Sequence, residues 1–206
     1  MKLNQIEKAL MNNPVRAMLQ RRYEAPLFER LGGRVAGGRV LEIGCGRGVG
    51  TEILFSRFRA REVHAFDIDP DMVEQARGRL AGYLPDRLRL FVGDAAAIDA
   101  EDESFDAVFD FGIIHHVPDW RRAVAEVARV LRPGGRFFFE EVTAKALNRW
   151  SYRTFLEHPT GDRFGGEEFI NELELCGMAV GKNYVYRFFG DFVIGVGLRH
   201  EVRLSN

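Results

Sequence analysis

Three glycines at alternate positions, Gly44, Gly46 and Gly48, fall in the stretch VLEIGCGRG over residues 40–48, and Glu42 stands two residues ahead of the first. Glycine tolerates the left-handed backbone and lets a ligand touch main-chain N–H groups. The spacing departs from the G-x-G-x-x-G of dinucleotide folds, because Val49 takes the place of the last glycine counted from Gly44. A carboxylate at Glu42 also suits a cationic ligand better than a pyrophosphate. Three further acids, Asp67, Asp94 and Asp110, close apolar runs downstream. His115 and His116 are adjacent, and a histidine titrates close enough to neutrality to take a proton from an incoming hydroxyl or amine. Cys45 sits inside the loop, where a small residue suffices.

These groups need a frame. RVLEIG (39–44), EVHAFD (62–67), RLRLFVGD (87–94), SFDAVFDFG (104–112) and RFFFEEV (136–142) read as five short buried strands. Helical spacing separates several of them. After Gly48 it runs through Val49, Ile53, Leu54 and Phe58; after the cap Asp69 and Pro70 it runs through Val73, Ala76 and Leu80; after Asp119 it runs from Trp120 to Leu131, stopped by Pro133-Gly134-Gly135. Alternating strands and helices predict a doubly wound, mostly parallel α/β sheet with helices on both faces. GEEFINELELCG reads as one more helix. AVGKNYVYRFF and DFVIGVGLR read as a closing antiparallel hairpin. Residues 1–36 read as a helical segment broken at Asn13-Pro14, and residues 143–166 as an insertion into a domain spanning 37–206.

Composition narrows the function. The chain has 206 residues, 46% hydrophobic and 29% charged, with a formal net charge of -1, which speaks against a nucleic-acid partner. No apolar run reaches the ~18 residues of a spanning helix. Two cysteines make neither a disulfide framework nor a zinc cluster. The expectation is a cytoplasmic protein, monomeric or homodimeric, with no metal site.

VLEIGCGRG resembles the first motif of the class I S-adenosylmethionine-dependent methyltransferases, [E/D]-x-G-x-G-x-G. The resemblance continues in order through AFDIDPDMV, VGDA (92–95), FDAVFDFGIIHHVPD and RVLRPGGRF, and covers roughly residues 38–142. Within that family it is closest in character to the small-molecule, UbiE-like group. It implies a Rossmann-like fold, S-adenosyl-L-methionine as cofactor and S-adenosyl-L-homocysteine as product. By the same resemblance Gly44, Cys45, Gly46 and Gly48 would line the methionine and ribose, and Glu42 would balance the cationic end. Asp67 would accept the ribose hydroxyls and Ile68 would lie against adenine. Asp94 and the Ala95 N–H would meet the adenine edge, and Asp110 and Phe111 the methionine part.

The acceptor half is less legible. His115 and His116 are candidate catalytic groups, with His115 placed at the pocket mouth and His116 in packing; Tyr152 and His158 are candidate acceptor contacts. DFGI stands where enzymes of this class that methylate base amines carry Asn/Asp-Pro-Pro-Tyr/Phe, and two cysteines are too few for arsenic chemistry. A small-molecule acceptor is expected, methylated on O, N or C, and seventeen phenylalanines tilt it towards an apolar or aromatic compound. A peripheral-membrane lipid or quinone-precursor methyltransferase, a cofactor-binding protein without catalysis, and a nicotinamide oxidoreductase are the alternatives. The basic N-terminal segment reads as a lid that brings Tyr23 to the site, or as a face of Arg16, Arg21 and Arg22 for anionic lipid.

Overall fold

The computed structural model describes residues 13–148 and 162–200. Five strands form the parallel part of the sheet: β1 (Arg39–Ile43), β2 (Glu62–Asp67), β3 (Leu88–Val92), β4 (Phe105–Asp110) and β5 (Leu131–Val142). Three more complete it: β6 (Met178–Ala179), β7 (Tyr184–Arg187) and β8 (Phe192–Arg199). The order is β3-β2-β1-β4-β5-β8-β6, and β7 also pairs with β8. β8 runs antiparallel to β5, with Phe138 opposite Val196. β6 and β7 share the far side of β8 end to end, β6 against Leu198–Arg199 and β7 against Phe192–Gly195. The doubly wound sheet with a closing antiparallel hairpin is therefore as the periodicity predicts, except that the run 179–189 is two short strands interrupted by a turn.

Strand alternation sorts the apolar side chains onto two faces. Val40, Phe109 and Phe138 pack with α2 (Ala25–Gly32) and α3 (Val49–Ser56) on one face. Leu41, Phe137 and Phe139 pack with α5 (Trp120–Val130) and α7 (Gly166–Leu175) on the other. Phe28 of α2 sets its ring against Phe109, Phe111 and Phe138 at centroid distances of 6.1, 5.5 and 5.8 Å. Phe137, Phe138, Phe139, Phe164 and Phe169 are thus core residues. None of them lines the cavity described below, so these phenylalanines do not bear on the acceptor as their number suggests.

The caps form as expected. Asp69 accepts from the Asp71 N–H at the start of α4 (Pro70–Arg79), and Asp119 from the Arg122 N–H at the start of α5. α5 ends at Val130, earlier than the Pro-Gly-Gly signal, because the residue before a proline is driven extended. Between the pairs Phe105–Leu131 and Ala107–Arg136 the register shifts, and the Pro133-Gly134-Gly135 segment forms the irregularity. A short helix, α6 (Ala144–Leu147), opens the insertion.

At the N-terminal end, α1 (Pro14–Leu19) is capped by Asn13 Oδ1, which accepts from the Arg16 N–H at 2.8 Å. It runs through a π-helical turn (Gln20–Glu24) into α2. The basic face read from the sequence is split: Arg21 and Arg22 are exposed and Arg16 is not. Val15, Met18, Leu19 and Tyr23 are exposed, whereas the Arg16 side chain is only 15% exposed.

Candidate functional site

A cavity of about 550 Å³ opens beyond the carboxyl ends of β1, β2 and β4, a volume in the range of small-molecule sites. Its lining includes Gly44, Cys45 and Gly46, in the loop between β1 and α3. Gly44, Gly46 and Gly48 have φ of 68°, 50° and 82°, in the left-handed region that side chains disfavour. A Cβ on Gly44 would lie 2.4 Å from Ile113 Cγ2, so bulk is excluded there by contact as well as by conformation.

Asp67 stands at the tip of β2, facing the cavity. Its Oδ2 accepts from the Gly46 N–H and its Oδ1 from the Asp69 N–H, each at 2.9 Å. These two amides fix the carboxylate at the cavity wall. Ile68 and Asp94 line the next stretch of wall with Ala95. Asp94 also forms its own turn, accepting from the Ala96 N–H at 2.9 Å.

Glu42 is 2% exposed, yet its carboxylate borders the cavity. Oε2 accepts from the Thr51 hydroxyl, and a Cβ on Gly50 would lie 2.0 Å from Oε1, so the bare backbone of α3 makes room for the acid. Burial, reinforced by the nearby charge of Asp67 and opposed by the Thr51 bond, pushes its pKa up to about 8. An arriving cation would reverse that shift. Burial also pushes the Cys45 thiol up, which makes it inert as a nucleophile.

Phe111, Ile113, His116, Val117 and Pro118 line the remaining wall. The histidine roles are the reverse of the sequence expectation. His116 borders the cavity, whereas His115 Nδ1 lies 2.6 Å from the buried Glu141 Oε2. Glu141 also accepts from the N–H groups of Ile114 at 2.7 Å and His115 at 3.1 Å. Asp110 is fully buried and accepts from the N–H groups of Gly112 and Ile113 at 2.9 and 2.8 Å. Burial pushes Glu141 up to about 7 and raises Asp110 well above the usual carboxylate range, helped by the charge of Glu141. The acids therefore hold the turn after β4 in place. Asp110, His115 and Gly48 are brought close to the site but are not among its lining residues.

The roof comes from the N-terminal segment, whose Asn13, Ala17, Gln20 and Arg21 border the cavity. Arg16 pins it down. Its guanidinium contacts the Glu24 carboxylate, lies 3.4 Å from Glu140 Oε2, and donates to the Phe111 carbonyl at 3.1 Å. Burial, then repulsion from Glu140, pushes Glu24 up to about 9, so Glu24 holds a proton at neutral pH beside one ionic pair. Arg16 is thus consumed in a buried latch and is not part of a lipid-facing surface. Tyr23 does not line the cavity; its hydroxyl meets Arg187 Nε. The latch was missed in the sequence, although Glu140 and Glu141 in an otherwise apolar strand were a usable signal. Tyr152 and His158 lie outside the described residues.

A bare glycine loop after β1, an acid closing β2 and a cavity at the strand ends define a doubly wound nucleoside-binding site. Residues 41–139 match the family model described as a methyltransferase domain, and this stretch has the features of a class I S-adenosylmethionine-dependent methyltransferase domain. The chain is 36% identical over 124 residues to a fatty-acid O-methyltransferase of Mycolicibacterium smegmatis, covering 58% of this chain and 43% of that protein. It is 33% identical over 168 residues to a malonyl-[acyl-carrier protein] O-methyltransferase of Halorhodospira halophila, covering 75% and 56%. The chain thus spans about half the length of the curated relatives it matches. A methyltransferase of Aquifex aeolicus superposes with a TM-score of 0.72 over 96% of this chain and 98% of that one, at 20% identity, which shows the fold. No helix among the described residues is long and apolar enough to cross a membrane.

Proposed function

We propose that the protein transfers a methyl group from S-adenosylmethionine to the oxygen of an apolar, lipid-type small molecule. The observation that carries this reading is a single cavity that joins the bare loop, Glu42 and Asp67 at one end to Ile113, His116 and Val117 at the other. The donor set fits the cofactor: loop amides for a carboxylate, the fixed Asp67 for a diol, and a buried acid whose shift a cation would reverse. Ile68, Asp94 and Ala95 would hold the adenine end. The cofactor, when bound, supplies an electrophilic methyl on a sulfonium.

What this chain contributes is alignment and dryness. Positioning of that kind supplies roughly 7–11 kcal/mol. The roof of residues 13–24 serves as a lid, with Arg16 as its clasp. The two relatives are named for a fatty-acid and a malonyl acceptor and both for O-methylation, which supports a carboxylate acceptor. A carboxylate arrives already ionised and needs no strong base, and His116 then orients the acceptor oxygen. Incubation with methyl-labelled cofactor and a panel of fatty acids, phenols and amines tests the reading. Labelled ester from fatty acids is expected. Tight cofactor binding with no labelled product from any acceptor overturns it in favour of a binding protein without catalysis.

A further inference from the structure

Eleven large hydrophobic residues are exposed among the described residues, and six of them fall on two linked stretches: Val15, Met18, Leu19 and Tyr23 on one, Phe188 and Phe189 on the other. The first four form the outer side of the segment that roofs the cavity. The last two form the tip between β7 and β8, at 69% and 91% exposure. Tyr23 joins the groups through its hydroxyl bond to Arg187 Nε. The tip lies at the cavity end of the sheet, because Thr143, just past β5, bonds the Gly190 carbonyl at 2.8 Å.

Two features mark the tip as more than a ragged loop. Phe188 and Phe189 are consecutive non-glycine residues at φ of 50° and 60°. Each such residue costs on the order of 1 kcal/mol, and water gains nothing from two bare aromatic rings. The patch is also edged by cations: Arg22 on the outer side of the roof, Lys145 with Nζ on the Phe189 carbonyl, and Arg187. Aromatic and aliphatic side chains ringed by Lys and Arg match the boundary of an anionic bilayer, where rings sit among acyl chains and cations among head groups.

We infer that this face docks on an anionic lipid surface, with Phe188 and Phe189 inserted and the cavity roof laid against the membrane. The inference deepens the proposed function by naming where an apolar acceptor is met. Cosedimentation with neutral phosphatidylcholine vesicles and with vesicles containing phosphatidylglycerol, both without cofactor, tests it. Binding is expected on the anionic vesicles and weakened by 0.5 M salt. Paired Phe188→Ser and Phe189→Ser changes should lower partition at least about tenfold, as should paired Met18→Glu and Leu19→Glu. Leu175→Ser, exposed elsewhere, serves as the folded control and should bind as the parent does.

Absence of binding to either vesicle overturns the inference, as does binding that survives the patch substitutions. Two other occupants of the patch are also separable. Self-association lost with the same substitutions, without vesicle binding, would assign it to a second copy of the chain. Retention on an immobilised acidic carrier protein, again without vesicle binding, would assign it to a protein partner. Either result overturns the lipid assignment. A protein that binds S-adenosylhomocysteine but no vesicle loses this inference alone. One that binds vesicles but no cofactor loses the proposed function alone.

Discussion

If the cationic end of the cofactor lies where we propose, Glu42 would make cofactor affinity a proton-coupled quantity. In the free protein its carboxyl titrates near 8, because it is buried and faces Asp67. Beside a bound ammonium or sulfonium it is ionised, so binding releases a proton. At pH 7 about 0.9 proton should be released per site, from the occupancy of a group titrating near 8. The sign follows from the raised value. The free state holds the proton, so binding tightens as pH rises and levels off above about 8. Between pH 6 and pH 7.5 the affinity for S-adenosylhomocysteine should rise roughly twentyfold, since each pH unit below the midpoint is worth about 1.4 kcal/mol. Below about pH 7.5 the ligand's own amino group remains charged, which sets the upper limit of the window. Titration calorimetry in buffers of different ionisation enthalpy reads the proton count directly. In Glu42→Gln both the release and the slope should vanish, and affinity at pH 7.5 should fall by roughly 1.5–3 kcal/mol. A variant that keeps the parent's slope would refute the placement of the cationic end beside this residue.

Asp67→Ala should weaken cofactor binding by roughly 1.5–3 kcal/mol with little change in fold, as read by calorimetry and circular dichroism. Gly44→Ala combines a φ of 68° with a 2.4 Å approach to Ile113, and should cost both cofactor affinity and about 1–3 kcal/mol of stability in urea unfolding. Arg16→Met leaves the buried Glu140 carboxylate without its cation and should destabilise by about 3–5 kcal/mol at pH 7, with part of the loss recovered by adding Glu140→Gln. The two histidines should separate. His115→Gln removes a bond to buried Glu141 and shows in stability, about 1–3 kcal/mol, whereas His116→Gln should lower kcat for the acceptor by more than its loss of stability accounts for.

The loop end of the cavity was legible because its signals are local. Gly44, Gly46 and Gly48 announce a left-handed loop from their own residue type, and Asp67 and Asp94 are found by counting to the ends of apolar runs. Asp69 and Asp119 declare their caps in the same way. Residues whose role depends on what lies across the fold were not legible. Asp110 reads like Asp67 on the strand ladder, yet it turns into a closed pocket of amides beside Glu141. His115 and His116 differ by one position, and only the turn after β4 decides which ring reaches the cavity. Arg16 reads as a surface cation, because no window contains both it and Glu140, 124 residues away. The phenylalanines of β5 misled for a related reason: composition records how many rings there are, not which face of the sheet they occupy.

The split edge of the sheet bears on self-assembly. β8 is flanked on its outer side by two pieces, of two and four residues, with a turn at 180–183 between them. Neither piece offers an unbroken ladder long enough to recruit a strand from another molecule. Strand recruitment through that border is accordingly disfavoured, which leaves β3, at the opposite end of the order, as the sheet's only continuous edge among the described residues.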